Sequence, residues 1–389
     1  MQTSRRLFIK LAAAAGAAWG AVRLAAAETK DVIPGFEKAA QDPNAAKGWK
    51  AVSDRKIRMG IAGFGACQFG AQFGFQDHPN VEVIAVTDLI PDRCAGLAQA
   101  CRCKKTYPSC EEMLKDDTIE AVFVATDAPS HARLCIEALK RGKHVASAVP
   151  AIWGGPVEEA DRLYEAVRKS GKTYMMFETS CYHAEVHAYR ERYKAGELGK
   201  LVYTEGEYYH YFGTPFPSYK EWRVGLPPQW YPTHSNAYYV CVTGGSFTEV
   251  SCLGMPSIVP HLQPANNAYK NPFGSEIALF RTSEGGMARM AVCWDLPAAG
   301  GEQGRVYGQK NGKAAVKTER PPLPPGVAAG AHGGAHGYLM SEFVEAILQN
   351  RRPLVDISKA LAMTVGGIVA HQSALKDGEL LKIPQYAAI

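Results

Sequence analysis

The chain has 389 residues, enough for two domains of ordinary size, and a formal net charge of +5. Residues 1–27 hold Arg5, Arg6, Lys10 and Arg23 and no acid, so the remainder carries only +1. A near-neutral body offers little net positive charge with which to displace counterions from a phosphate backbone, which argues against a nucleic-acid partner.

The chain opens on an address. Ser4-Arg5-Arg6-Leu7-Phe8-Ile9-Lys10, the Ala-rich stretch from Leu11 to Gly20 and the small residues Ala25-Ala26-Ala27 read as a twin-arginine signal peptide over residues 1–27. The apolar stretch is too short for a membrane anchor and is broken by Arg23. The expectation is a periplasmic protein, handled by the twin-arginine export machinery and folded around a cofactor before it crosses. Residues 28–55 are polar, without periodicity, and contain Pro34-Gly35 and Asp42-Pro43; they read as a linker or arm.

Strands and helices then alternate. Ile57–Ala62 is a short strand, Cys67–Gln76 a helix, Val81–Asp88 a second strand and Pro91–Cys101 a second helix. Ile119–Thr126 is apolar without alternation, as expected of a parallel strand covered on both faces. Helices over Ser130–Arg141 and Val157–Ser170 and strands over Lys143–Ser147 and Thr173–Phe177 complete the series. This pattern predicts an α/β fold: a doubly wound parallel sheet of the Rossmann type over residues 56–177. After Phe177 the rhythm changes. A helix from Ala184 to Ala195 leads into the alternating run Leu201–His210, and Glu276–Arg281 and Met287–Trp294 flank the turn Glu284-Gly285-Gly286. Residues 178–389 therefore read as a second α/β domain with an open, mostly antiparallel sheet. Residues 311–336 read as a loop, and helices over Ser341–Gln349 and Ser358–Ala374 close the chain.

Gly63-Phe64-Gly65 falls between the first strand and the first helix, where glycines let the backbone approach a dinucleotide pyrophosphate. The third glycine of the G-x-G-x-x-G pattern is replaced by Gln68, with Gly70 two positions on. Asp88 ends the second strand, where a carboxylate accepts bonds from ribose hydroxyls and repels a 2′-phosphate. NAD is therefore favoured over NADP, with Arg93 the residue that would admit the latter. Among the ten cysteines, Cys101 and Cys103 lack metal-ligand spacing, and Cys67, Cys181, Cys241, Cys252 and Cys293 read as small buried residues. His332-Gly333-Gly334-Ala335-His336 reads as a loop near the substrate, and no metal site is assigned.

With these residues, the chain from Ile57 to about Pro384 resembles the Gfo/Idh/MocA oxidoreductases. Ala125-Thr126-Asp127-Ala128-Pro129-Ser130-His131 looks like that family's stretch near the nicotinamide, which implies cofactor roles for Thr126, Pro129 and His131; Pro150 takes the last place of the family's Glu-Lys-Pro motif. That motif reads Ala148-Val149-Pro150, so the proton-moving lysine is replaced by Val149. The segment Trp230-Tyr231-Pro232-Thr233-His234 keeps only the family's histidine. Tyr182, Tyr231-Pro232-Thr233-His234 and His332-Gly333-Gly334 are similar to the NAD-dependent glycosidases of glycoside hydrolase family 109. The resemblance implies an NAD(P)-dependent enzyme acting on a sugar or glycoside, by net hydride transfer or by redox-neutral cleavage, and a homo-oligomer. His234 and Tyr182 are the catalytic candidates, with Glu178 and His183 weaker ones beside Tyr182. The aromatic run from Tyr208 to Tyr239 suits a carbohydrate face. The losses at Ala148 and Val149 leave open a third reading, a nucleotide-binding sensor without catalysis.

Overall fold

A computed structural model describes residues 39–40, 42–297, 300–310 and 319–389. The expected signal peptide and residues 28–38 and 41 of the expected arm lie outside the described residues, as does the part of the expected loop from 311 to 318. Among the described residues no helix is long and apolar enough to cross a membrane.

The first layer is a six-stranded parallel sheet of β1 (Ile57–Ala62), β2 (Val81–Thr87), β3 (Thr106–Tyr107), β4 (Ala121–Val124), β5 (His144–Ser147) and β6 (Tyr174–Met176). Its order is β3-β2-β1-β4-β5-β6, so the direction of winding reverses between β1 and β4. That reversal opens a crevice at the carboxyl ends of the two strands. The strands β4 to β6 are buried almost throughout, which explains their unbroken apolar sequence.

The helix expected over Cys67–Gln76 is a single turn, α1 (Phe69–Gln72), followed by a 3₁₀ turn at Phe75–Asp77. Gln68 stands before it in the left-handed region with φ 51°. The following helices are α2 (Pro91–Ala100), α3 (Cys110–Leu114), α4 (His131–Lys140) and α5 (Glu158–Ser170). Ser109 caps α3 by accepting the Glu112 N–H at 3.2 Å, and Gly171 ends α5 with φ 62°.

The second layer is a six-stranded sheet of β7 (Leu201–Tyr209), β8 (Phe247–Pro256), β9 (Phe273–Thr282), β10 (Met287–Cys293), β11 (Gly301–Gly308) and β12 (Leu381–Lys382). Its order is β11-β7-β10-β9-β8-β12; only β7 and β10 run parallel. β8 and β11 escaped the sequence reading because neither shows clean alternation bounded by turn residues. Helix α6 (Ala184–Lys194) precedes this sheet. Helices α7 (Thr233–Thr243) and α9 (Ile357–Ala374) pack on one face of it, and α8 (His336–Leu348) lies before α9. The other face leaves Leu253, Ile277, Leu279 and Met287 exposed.

Helix α7 sits unusually close to the sheet. Gly206 of β7 pairs with Gly304 of β11. A Cβ on Gly206 would lie 2.0 Å from the Ser235 carbonyl oxygen, and one on Gly304 2.3 Å from the Tyr238 ring. The two glycines form a groove into which α7 settles, and this seats the first turn of that helix.

Candidate active site

The crevice at the sheet reversal is a cleft of about 1000 Å³ lined by Gly63, Gly65, Asp88, Arg93 and Thr126 among others. Its glycines explain the altered fingerprint. Gly63 has φ 104°, and a Cβ there would meet the Ala125 carbonyl oxygen at 2.2 Å. Gly65 has nothing within 4 Å of a Cβ, so its backbone is open to a ligand. A Cβ on Gly70 would lie 2.3 Å from the Gly63 carbonyl oxygen. Gly70 thus supplies the close approach expected of the third glycine, displaced by the left-handed residue Gln68. The Asp88 carboxylate accepts the Phe64 N–H at 2.7 Å and the Ile90 N–H at 2.9 Å, which fixes it at the cleft wall. The Phe64 side chain packs towards Gly96 and serves the turn rather than the cleft. These features fit a dinucleotide: an open glycine backbone for its phosphates and an oriented carboxylate for a ribose.

His131 and Pro150 are buried and do not line the cleft, and Pro129 is exposed and does not line it either. His131 is buried; its Nδ1 lies 3.0 Å from the Pro150 carbonyl oxygen and its Nε2 3.3 Å from that of Thr126. It ties the loop after β4 to the loop after β5, next to the cis Val149–Pro150 peptide. Burial lowers the His131 pKa against the two carbonyl oxygens, which raise it; a neutral ring donates to one of them only.

A second, narrow aromatic pocket adjoins the cleft and shares Cys67, Phe69 and Arg223 with it. Val149, Tyr208, Tyr231, His234 and His332 line it. Val149 brings no proton to this wall. His234 does. It lies in the first turn of α7, and its ring is 4.5 Å from Tyr208 and 5.7 Å from Tyr231. Its Nδ1–H donates to Glu178 Oε1 at 2.8 Å, and Glu302 Oε1 lies 3.5 Å from the same nitrogen. Two carboxylates around Nδ1 hold the proton there and leave Nε2 for other partners. Burial opposes the imidazolium, but Glu178 and Glu302 outweigh it and raise the His234 pKa to about 9. The Glu178 carboxyl, itself fully buried, is held below its usual range: burial pushes it up, and His234 more than offsets this.

The carboxylate pair is braced further. Ser180 Oγ–H donates to Glu302 Oε2 at 2.5 Å, and His183 Nε2 lies 3.2 Å from that oxygen. The ligating atoms of Glu178, His234 and Glu302 fall within 4.8 Å of one another, a spacing that would also admit a divalent cation. Glu302 carries no sequence signal, because it reaches the site only when β11 folds against β7. Cys181 and Cys241 are joined in a disulfide with Cα atoms 5.4 Å apart, which clamps the Glu178–Tyr182 segment to α7.

The other lining histidines are kept neutral. Burial lowers the His210 pKa to about 4, and burial together with His336 lowers that of His332. His210 Nδ1 is buried without a hydrogen-bond partner, a polar atom available to a ligand. Arg223 stands where cleft and pocket meet, stacked 4.1 Å over Trp222. His332, at the start of the glycine pair, does reach the pocket.

Tyr182 is not brought to His234. It lines a separate cavity with Arg190 and Glu342, its ring 5.9 Å from the Arg190 guanidinium. The 3₁₀ turn Thr179–Tyr182 rotates it away from the residue four positions earlier. Burial raises its phenol pKa well above 10.

Residues 57–178 match the family model described as "Oxidoreductase family, NAD-binding Rossmann fold". A glycosyl hydrolase family 109 protein 1 from Bacteroides fragilis is 30% identical over 179 residues, 43% of this chain; the match spans 38% of that relative's length. A glycosyl hydrolase family 109 protein from Saccharopolyspora erythraea is 24% identical over 325 residues, 74% of this chain and 68% of that one. Among solved structures, levoglucosan dehydrogenase in complex with NADH and levoglucosan superposes with a TM-score of 0.70 at 15% identity, over 85% of this chain and 100% of that one. Scyllo-inositol dehydrogenase from Lactobacillus casei with bound NAD(H) and scyllo-inositol gives a TM-score of 0.66 at 16% identity, over 84% and 99%. The match to that family model falls on the six-stranded parallel sheet, and the solved structures share the fold of the chain.

Proposed function

We propose that the protein is an NAD-dependent enzyme that acts on a hydroxyl-bearing carbon of a sugar or glycoside. One observation carries this reading: a histidine anchored by a buried carboxylate lines an aromatic pocket that opens into the dinucleotide cleft. NAD, when bound, supplies reversible two-electron oxidation of that carbon. The Gly63–Gly65 backbone and Asp88 would hold it. Tyr208 and Tyr231 offer ring faces to the apolar face of a sugar, and His210 Nδ1 a polar contact. His234 Nε2 exchanges the hydroxyl proton while Glu178 holds the ring's orientation.

The raised pKa sets a preferred direction. At neutral pH His234 is loaded with its proton and serves as an acid; accepting a proton becomes easier as pH approaches about 9. This favours a second reading, redox-neutral glycoside cleavage, in which a loaded acid protonates the departing oxygen. Val149 in place of a lysine and the similarity to family 109 proteins support it. Export by the twin-arginine pathway with cofactor already bound would suit such recycling.

The test is direct. The protein is denatured and the released nucleotide identified by mass spectrometry; absence of any nicotinamide nucleotide overturns both readings. The folded protein is then given 4-nitrophenyl glycosides without added cofactor. Nitrophenol release lost in His234→Ala selects cleavage; keto-sugar formed in step with NADH selects net oxidation.

A further inference from the structure

The cavity that takes Tyr182 has no part in the chemistry above, yet it is built around charge. It spans about 1060 Å³ between α6 and α8 and the segment before α9. Six cations line it: Arg190, Lys194, Arg320, Arg351, Arg352 and Lys359. Its three acids are already engaged. Glu342 takes both Arg351 Nη atoms, at 2.7 and 2.8 Å, Asp356 takes Arg352 at 2.5 Å, and Glu191 takes Lys194 at 3.0 Å.

Two guanidinium groups form no ion pair with a carboxylate among the described residues, although Glu191 and Glu342 act on Arg190 from further off. Arg190 is only 5% exposed, and its donors go to the carbonyl oxygens of Cys181 and Cys241 and to His187 Nδ1. Arg320 donates through Nη1 to the carbonyl oxygens of Tyr182 and Gly334 and stacks 4.4 Å over the Tyr338 ring. A buried guanidinium served only by neutral acceptors is costly unless a counter-charge joins it. Burial accordingly lowers the Arg190 pKa. Tyr182 and Tyr338 add ring faces beside the two unpaired cations.

We infer that this cavity is a binding site for a sugar-sized organic oxyanion, a phosphate or carboxylate on a small polyhydroxylated molecule, seated between Arg190 and Arg320. The site is separate from the aromatic pocket, but Arg320 links the two. The Tyr182 carbonyl and the Gly333-Gly334 turn that it holds belong to the segments carrying Glu178 and His332.

The experiment uses the full protein saturated with NAD, so that the dinucleotide cleft takes up no phosphate probe. Glucose 6-phosphate, glucuronate, inorganic phosphate and glucose are titrated by calorimetry into the wild type, Arg320→Gln and Arg320→Lys. The expected result is saturable binding of glucose 6-phosphate or glucuronate that weakens at least tenfold in Arg320→Gln, is largely restored in Arg320→Lys, and declines with added salt. The tighter of the two names the oxyanion. Three results would overturn the inference: neither probe binds, binding survives Arg320→Gln unchanged, or inorganic phosphate and glucose bind as tightly as the organic anions. Arg320 lies at the cavity edge and Arg190 in the core, so Arg320→Gln is the variant expected to fold; a melting curve matching the wild type confirms it.

Discussion

Glu178→Gln isolates the charge that loads His234. The amide oxygen of glutamine can still accept the Nδ1–H bond, so the substitution removes the negative charge and keeps the geometry. In the wild type the His234 pKa lies at about 9 against an ordinary 6.5, a difference worth about 3 kcal/mol at about 1.4 kcal/mol for each pH unit. Because the folded value is the higher one, the stabilisation is complete below pH 6.5 and is lost as pH rises through about 9. Glu302, 3.5 Å from Nδ1, retains part of the attraction in the variant, while burial continues to oppose the charged ring. The expected outcome is a His234 pKa lowered by about two units in Glu178→Gln. The stability deficit of the variant should be largest near pH 6 and shrink towards pH 10. Ring-nitrogen NMR titration and urea unfolding at several pH values read these quantities. A His234 ring that still titrates near 9 in Glu178→Gln would refute the reasoning, as would a deficit independent of pH.

Four further outcomes are expected. Gly70→Ala should cost about 1–3 kcal/mol in thermal unfolding, because its Cβ would press on the Gly63 carbonyl oxygen, and NAD affinity should fall with it. Asp88→Ala should weaken NAD at least tenfold by fluorescence titration and NADP much less. Ile277→Glu with Leu279→Glu should convert an oligomer into a monomer by light scattering, if the exposed apolar face of the second sheet is where copies of the chain meet, as we propose. Chelation followed by elemental analysis should leave turnover unchanged, since His234 Nδ1 is committed to Glu178 rather than to a cation.

The Rossmann half was legible because parallel strands announce themselves as apolar runs and the glycines mark the crevice; β1 spans Ile57–Ala62 as the sequence implies. The length of α1 was not legible, because Gln68 in a left-handed conformation leaves no local signature. His234 was visible through its Tyr-Pro-Thr-His segment, but its partners were harder to read. Glu178 sits beside Tyr182 in sequence and looked the weaker of the two, until the 3₁₀ turn at Thr179–Tyr182 sends them to different cavities. Glu302 depends on a strand pairing about a hundred residues distant in sequence from β7, which no local pattern encodes.

The match to the oxidoreductase family ends at Glu178, and that residue's carboxylate reaches across to a histidine of the second sheet's first long helix. The acid–base pair is therefore a seam between two halves of the gene product. A chimera joined just after residue 178 separates the pair: with a foreign first half it sets a foreign residue against His234, and with a foreign second half it keeps Glu178 and loses its histidine. Either exchange leaves nucleotide binding in place while resetting the proton chemistry, so lineages that share only the first half can diverge in reaction without altering their cofactor.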